Sequence, residues 1–160
     1  MAEQKTNVMR VLEQKGIPYT AHCYAHGDTP IDGVTVAALI GKDVRQVFKT
    51  LVTMGAGETP YVFVVPVMKE LDLKKAAKAV REKSVSMLPL QQLLPITGYV
   101  RGGCSPIGMK KQFRTVMDRS CEELETMIVS AGKLGWQIEL SPKDLLHITA
   151  GQTADITVEV

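Results

Sequence analysis

Apolar positions along the chain change period repeatedly, and the changes delimit its elements. Val8 and Leu12 predict a short amphipathic helix, with Thr6 or Asn7 as cap and Gly16 as stop. After Pro18, residues 19–24 read as a strand, followed by the loop HGDTPIDG. Residues 34–40 read as a helix stopped by Gly41, and Asp43-x-x-Gln46 as a cap for one further turn. Phe48–Met54 and residues 61–67 are apolar strand runs. The glycine- and proline-bearing stretch between them predicts a hairpin with a longer loop. Leu73, Ala76, Ala77 and Val80 recur at helical spacing and predict a helix over 72–83. Leu90, Leu93 and Leu94 predict a shorter one, with Pro89 near its first turn and Gly98 beyond its end. Residues 99–103 read as a strand entering a glycine-rich loop, and residues 113–118 as another strand. Ser120-x-x-Glu123 is a capping box. Met127–Ser130 and Trp136–Leu140 are strands around a turn, and Ser141-Pro142-Lys143-Asp144 opens a last helix that Gly151 ends.

This order mixes hairpins with crossovers, unlike the strict alternation of a doubly wound fold. It predicts an α/β chain of the α+β kind: a mixed, partly barrel-like sheet flanked by helices. With 160 residues, no linker and no repeat, a single domain over 1–160 is expected. Apolar content of 45% and charged content of 22% exclude a disordered chain. A net charge of +2 does not by itself demand a nucleic-acid partner. Cys23, Cys104 and Cys121 form no Cys-x-x-Cys pair, so no disulfide framework is expected. The segment MAEQKTNVMR has no apolar core of a signal peptide, and no apolar run approaches the roughly 18 residues that span a bilayer. These features predict a cytoplasmic protein with no membrane association.

Lys49 is the odd residue of VRQVFKTLVT, since a dehydrated ammonium is costly unless paired. Either it faces solvent on an edge strand or it lines a site. His22, Cys23 and His26 are close in sequence but do not match a zinc pattern. Adjacent strand residues point to opposite faces, so no metal and no cofactor are expected. Neither a P-loop nor a Gly-x-Ser-x-Gly elbow is present. In Gly102-Gly103-Cys104-Ser105-Pro106-Ile107-Gly108-Met109-Lys110-Lys111, backbone N–H groups either converge on an oxyanion or merely close a tight turn. Lys74, Lys78 and Arg81, with Lys110 and Lys111, are candidates for binding phosphates, or a solvated face.

Four segments in order resemble the YbaK family: Gln46-Val47-Phe48-Lys49-Thr50-Leu51; Leu71-Asp72-Leu73-Lys74-Lys75-Ala76-Ala77; the run from Thr97 through Gly102-Gly103, Ser105-Pro106-Ile107-Gly108 and Lys110-Lys111; and Val129-Ser130-Ala131-Gly132-Lys133. The resemblance runs from about Thr6 to Asp155. It implies a partial barrel with a pocket for the 3′ end of tRNA. It implies Lys49 as the functional lysine, with Thr50 beside it and Tyr24 as a pocket tyrosine. Gly102, Gly103, Ser105 and Pro106 would form one pocket loop, and Ser130, Gly132 and Lys133 a second. The chain departs from the family pattern at Ala131, Leu134 and Gln137, the last standing where an aspartate is frequent. Cys104 stands where relatives carry an aliphatic residue, which argues against it as an obligatory nucleophile.

The implied activity is removal of cysteine from mischarged proline tRNA, with the substrate's own thiol attacking the ester. Lys49 and the Gly102-Gly103 backbone would then be the catalytic groups, holding geometry and oxyanion. The implied partners are mischarged tRNA and a prolyl-tRNA synthetase. Lys110-Lys111 favours cysteine over the alternative of alanine removal. A non-catalytic tRNA- or nucleotide-binding module is the reading from another class.

Overall fold

The fold is built from two sheets that one bridge joins. The computed structural model describes residues 5–159; of the expected single-domain span and the N-terminal segment, residues 1–4 and 160 lie outside the described residues. In chain order the elements are α1 (Asn7–Gln14), β1 (Thr20–Cys23), α2 (Gly33–Ile40), β2 (Phe48–Met54), β3 (Pro60–Pro66), α3 (Leu73–Ala79), β4 (Ser86–Met87), α4 (Leu90–Thr97), β5 (Arg114–Asp118), β6 (Met127–Ser130), β7 (Trp136–Leu140), α5 (Pro142–Thr149) and β8 (Gln152–Ala154). Strands β1-β7-β6 form one antiparallel sheet. The order β4-β2-β3-β5-β8 forms the other, in which β3–β5 and β5–β8 are parallel. A parallel bridge from Val47, just before β2, to Ile128 of β6 carries the first sheet onto the second. Among the described residues the larger sheet is mixed, the smaller antiparallel, and neither closes into a barrel.

Strand alternation assigns the two faces of the larger sheet to different cores. Phe48, Val64 and Met117 pack inward with Val129 and Ile138 of the smaller sheet, capped by Val8 and Leu12 of α1 and Leu145 of α5. On the other face Phe63, Val65 and Val116 take Ala76, Ala77 and Val80 of α3. A third, small cluster seats α2 through Ala37 on Val47 and Ile128. Burying an aliphatic side chain of this kind is worth about 1.5–3 kcal/mol, so these clusters hold the two sheets in register.

Several local signals resolve differently from the sequence reading. Residues 99–103 form no strand. Gly98 and Gly102 take left-handed backbone, Gly103 N–H donates to the Val100 carbonyl at 3.0 Å, and the Tyr99 hydroxyl donates to the Ile107 carbonyl. These contacts close the segment on itself. Ser120 does not cap: Asp118, two residues earlier, accepts its N–H at 3.2 Å and also that of Ile156 at 3.2 Å. Ala150, not Gly151, is the left-handed residue that ends α5. The short strands β4 and β8 carry too few residues for a periodic signal.

Candidate functional site

The central feature of the site is an open stretch of strand edge. β2 pairs with β3 along its whole length, but on its other side β4 reaches only Thr53 and Met54, and β6 reaches only Val47. Donation from Val67 N–H to the Val47 carbonyl (2.9 Å) and from Gly55 N–H to the Thr59 carbonyl (2.8 Å) sets the ladder parity. Odd-numbered residues bond β3, and the backbone N–H and C=O of Thr50 therefore point to the uncovered edge. A cleft of about 560 Å³ opens there, with Val47 to Leu51 as one wall, Asp32 and Gly33 at the start of α2 opposite, and Ser130 and Gln137 also lining it.

Side chains of β2 enter from both faces. Val47 sits beneath α2 and Leu51 beside the α3 core, so Lys49, on the same face, emerges between the two helices. It is half-buried, lines the cleft, and makes no hydrogen bond or ion pair among the described residues. Thr50 points the other way. Its hydroxyl oxygen is sealed from solvent and has no hydrogen-bond partner among the described residues. Leaving such a group unsatisfied costs about 1–3 kcal/mol.

The remaining lining comes from loops and the smaller sheet. Ser130 and Gln137 are cross-strand partners, both buried; Ser130 Oγ accepts from Gly132 N–H at 3.1 Å. Tyr24 is held by its N–H to the Gly135 carbonyl at 3.0 Å, and its ring meets His26 edge-on. Gly102 lines the cleft at φ +85°; a Cβ there would lie 2.8 Å from both Leu134 and Pro30. Its N–H has no partner among the described residues, whereas that of Gly103 is already engaged by Val100. Of the two glycines, Gly102 alone offers its amide, which corrects the expectation that both do. Cys104 also lines the cleft, but burial pushes its thiol up to about 12, so almost no thiolate exists at neutral pH.

Of the candidates named from the sequence, Lys49, Thr50, Gly102, Tyr24 and Ser130 line the one cleft. Gly103, Ser105, Pro106, Gly132 and Lys133 do not line the cleft. Ser105 and Pro106 are buried, and Ser105 Oγ accepts from Ile107 N–H at 3.3 Å, so they shape the loop. Gly132 lies against Tyr99 and Val8, where a Cβ would come to 3.0 Å of each. Lys74, Lys78 and Arg81 are exposed around α3, on the sheet face from which Lys49 projects, but outside the cleft. Lys110 bonds the Pro95 carbonyl at 3.2 Å, and Lys111 is exposed.

Two charged lining residues were missed: Asp32 and Arg101. The signal for Asp32 was available, since an aspartate three residues before Thr35 is a capping pattern at the predicted helix start. Nothing local marks Arg101. His22 and Cys23 diverge as expected, His22 contacting Glu139 at 2.8 Å while Cys23 is exposed. Among the described residues the cleft therefore holds two cations, one carboxylate and neutral hydrogen-bonding groups, but no side-chain nucleophile paired with a base. It suits an already activated acyl group that water or an internal nucleophile attacks.

Comparison with known proteins agrees with this chemistry. The sequence profile described as "Aminoacyl-tRNA editing domain" matches residues 25–148. EbsC of Enterococcus faecalis, a proposed Cys-tRNA(Pro)/Cys-tRNA(Cys) deacylase, is 48% identical over 157 residues, covering 98% of this chain and 96% of its own. The fold matches the crystal structure of a proposed trans-editing enzyme for prolyl tRNA synthetase, with TM-score 0.82, 24% identity, and coverage of 98% of this chain and 100% of that one. It also matches the hypothetical protein APE2540, with TM-score 0.85, 22% identity, and coverage of 96% and 100%.

Proposed function

The chain belongs to the aminoacyl-tRNA editing domain family, and we propose that it is a free-standing deacylase that clears cysteine from mischarged proline tRNA. The observation that carries this reading is the cleft on the open β2 edge, where Lys49, without a partner among the described residues, faces a space in which none of those residues pairs a side-chain nucleophile with a base. The choice of cysteine is supported by the EbsC relative.

In the proposed reaction the substrate's thiol sulfur bonds to the ester carbonyl carbon, and the ester C–O bond breaks. The thiol proton ends on the released ribose oxygen, and water later opens the thioester. Holding thiol and carbonyl in near-attack geometry can remove about 7–11 kcal/mol of barrier in favourable cases. Each donor aimed at the developing oxyanion adds about 3 kcal/mol. Lys49 and Gly102 N–H take the oxyanion role, and Lys49 is the alternative anchor for the terminal nucleotide. Tyr24, Thr50 and Ser130 contact the aminoacyl-adenosine end. The lysines and arginine around α3, with Lys110 and Lys111, meet the tRNA backbone. Prolyl-tRNA synthetase is the expected partner and the cytoplasm the expected compartment; no helix among the described residues is long and apolar enough to cross a membrane.

The test is ester loss from cysteinyl-, alanyl- and prolyl-tRNA(Pro), with Lys49→Ala alongside. Cysteinyl-tRNA should be cleared fastest, and the variant should lose at least about 100-fold in kcat/KM, the scale of one oxyanion donor. Full activity of the variant would remove Lys49 from the mechanism. Faster loss of alanine would transfer the substrate, and binding with no ester loss would favour the non-catalytic reading.

A further inference from the structure

We propose that Asp32 receives the α-ammonium group of the aminoacyl ester, making the cleft selective for an acyl group that carries a free amine. The inference rests on the functional reading above and extends it to a residue outside the expected site. A charged tRNA end brings both signs to the cleft: phosphodiester anions and the ammonium of its amino acid. The cleft answers both. Its charged lining residues are the cations Lys49 and Arg101 and the carboxylate of Asp32. Gln137, buried among the lining residues, is neutral.

The carboxylate is fixed before any ligand arrives. Asp32 Oδ1 accepts from Thr35 N–H at 2.9 Å and Oδ2 from the Thr35 hydroxyl at 2.8 Å. Each oxygen keeps a further lone pair, and the residue itself is exposed. These bonds, the backbone one foremost, hold the carboxyl below its ordinary range, so it is anionic at neutral pH. Its position is set by packing: Gly33, next in the chain, lies so close to Val67 that a Cβ would fall 2.2 Å from that side chain. The start of α2 is thereby pressed against the end of β3. Without Asp32, the positive end of the α2 dipole would disfavour an ammonium there; the carboxylate reverses the local sign.

The plain role of Asp32 is to cap α2, and asparagine caps about as well as aspartate. Asp32→Asn therefore keeps the cap and removes the charge. The probes are two stable amides of 3′-amino-3′-deoxyadenosine, one carrying cysteine and one carrying 3-mercaptopropionate, which lacks only the amine. Calorimetric titration should show wild-type protein preferring the cysteine amide by about tenfold or more, the range of a charge-assisted hydrogen bond. Asp32→Asn should lose that preference by weakening the cysteine amide alone, with an unchanged melting temperature. Equal weakening of both probes, or no preference in the wild type, would overturn the assignment. Wild-type deacylation of cysteinyl-tRNA is measured beside it. Its absence would refute the functional reading, while the binding contrast would still judge Asp32.

Discussion

Replacing Thr50 with valine should make the protein more stable and less active. The substitution keeps the β-branched shape that suits the middle of β2 and removes only the hydroxyl. That hydroxyl is sealed from solvent without a partner among the described residues, so its burial is uncompensated. Desolvating an unsatisfied hydroxyl costs about 1–3 kcal/mol in mutational data. Part of this will already be relaxed by small side-chain motions, so about 1 kcal/mol should return on replacement. For a chain of this length that raises the melting temperature by about 2–4 °C. If the side chain turns to bring this hydroxyl to the substrate, its loss leaves a substrate atom unpaired. Deacylation should then fall about tenfold in kcat/KM. Thermal melts followed by circular dichroism, with single-turnover deacylation on the same preparations, give both numbers. A variant that melts lower, or one that keeps full activity, would refute the reasoning. The first outcome means that the hydroxyl has a partner in the folded protein, the second that it does not meet the substrate.

Cys104→Ala should retain deacylation within about threefold, because the thiol is protonated at neutral pH and the attacking sulfur belongs to the substrate; peptide mapping after brief iodoacetamide treatment at neutral pH should find exposed Cys23 alkylated and Cys104 spared. Glu139→Gln should cost about 1–2 kcal/mol at pH 7. Desolvation raises the Glu139 carboxyl, but hydrogen bonds from Thr126, His22 and Lys42 outweigh it and bring it below its ordinary 4.5. A lowered carboxyl contributes stability above the unfolded-state value and loses it as pH falls through the folded one. The gap between wild type and variant should therefore be full near neutrality and close as pH falls below 4.5 through the lowered folded-state value in urea titrations.

Much of this protein is written in short-range pattern. The apolar runs of β2, β3, β5, β6 and β7, the spacing of Leu73, Ala76, Ala77 and Val80, and the Ser141-Pro142 helix start each depend on neighbours a few residues away, and each reappears in the fold. Lys49 was marked as odd by the same logic, because a lysine in an apolar strand needs a reason. Ordered motifs named its family. Tertiary structure decided the rest. Residues 99–103 have strand composition, yet find no partner strand and turn back on themselves. Ser120 has the capping pattern, yet Asp118 reaches its N–H first. The site follows the same rule. Asp32, Lys49, Thr50 and Arg101 become one cleft only because β4 and β6 each cover one end of β2 and leave the middle open. The sequence by itself determined the longer helices and strands and the oddness of Lys49, since periodicity, caps and side-chain type are local. Which strand edge stays open, which hydroxyl lacks a partner and which charges share a space are set by pairings between residues far apart in the chain, and those exist only once the sheets have closed on their cores.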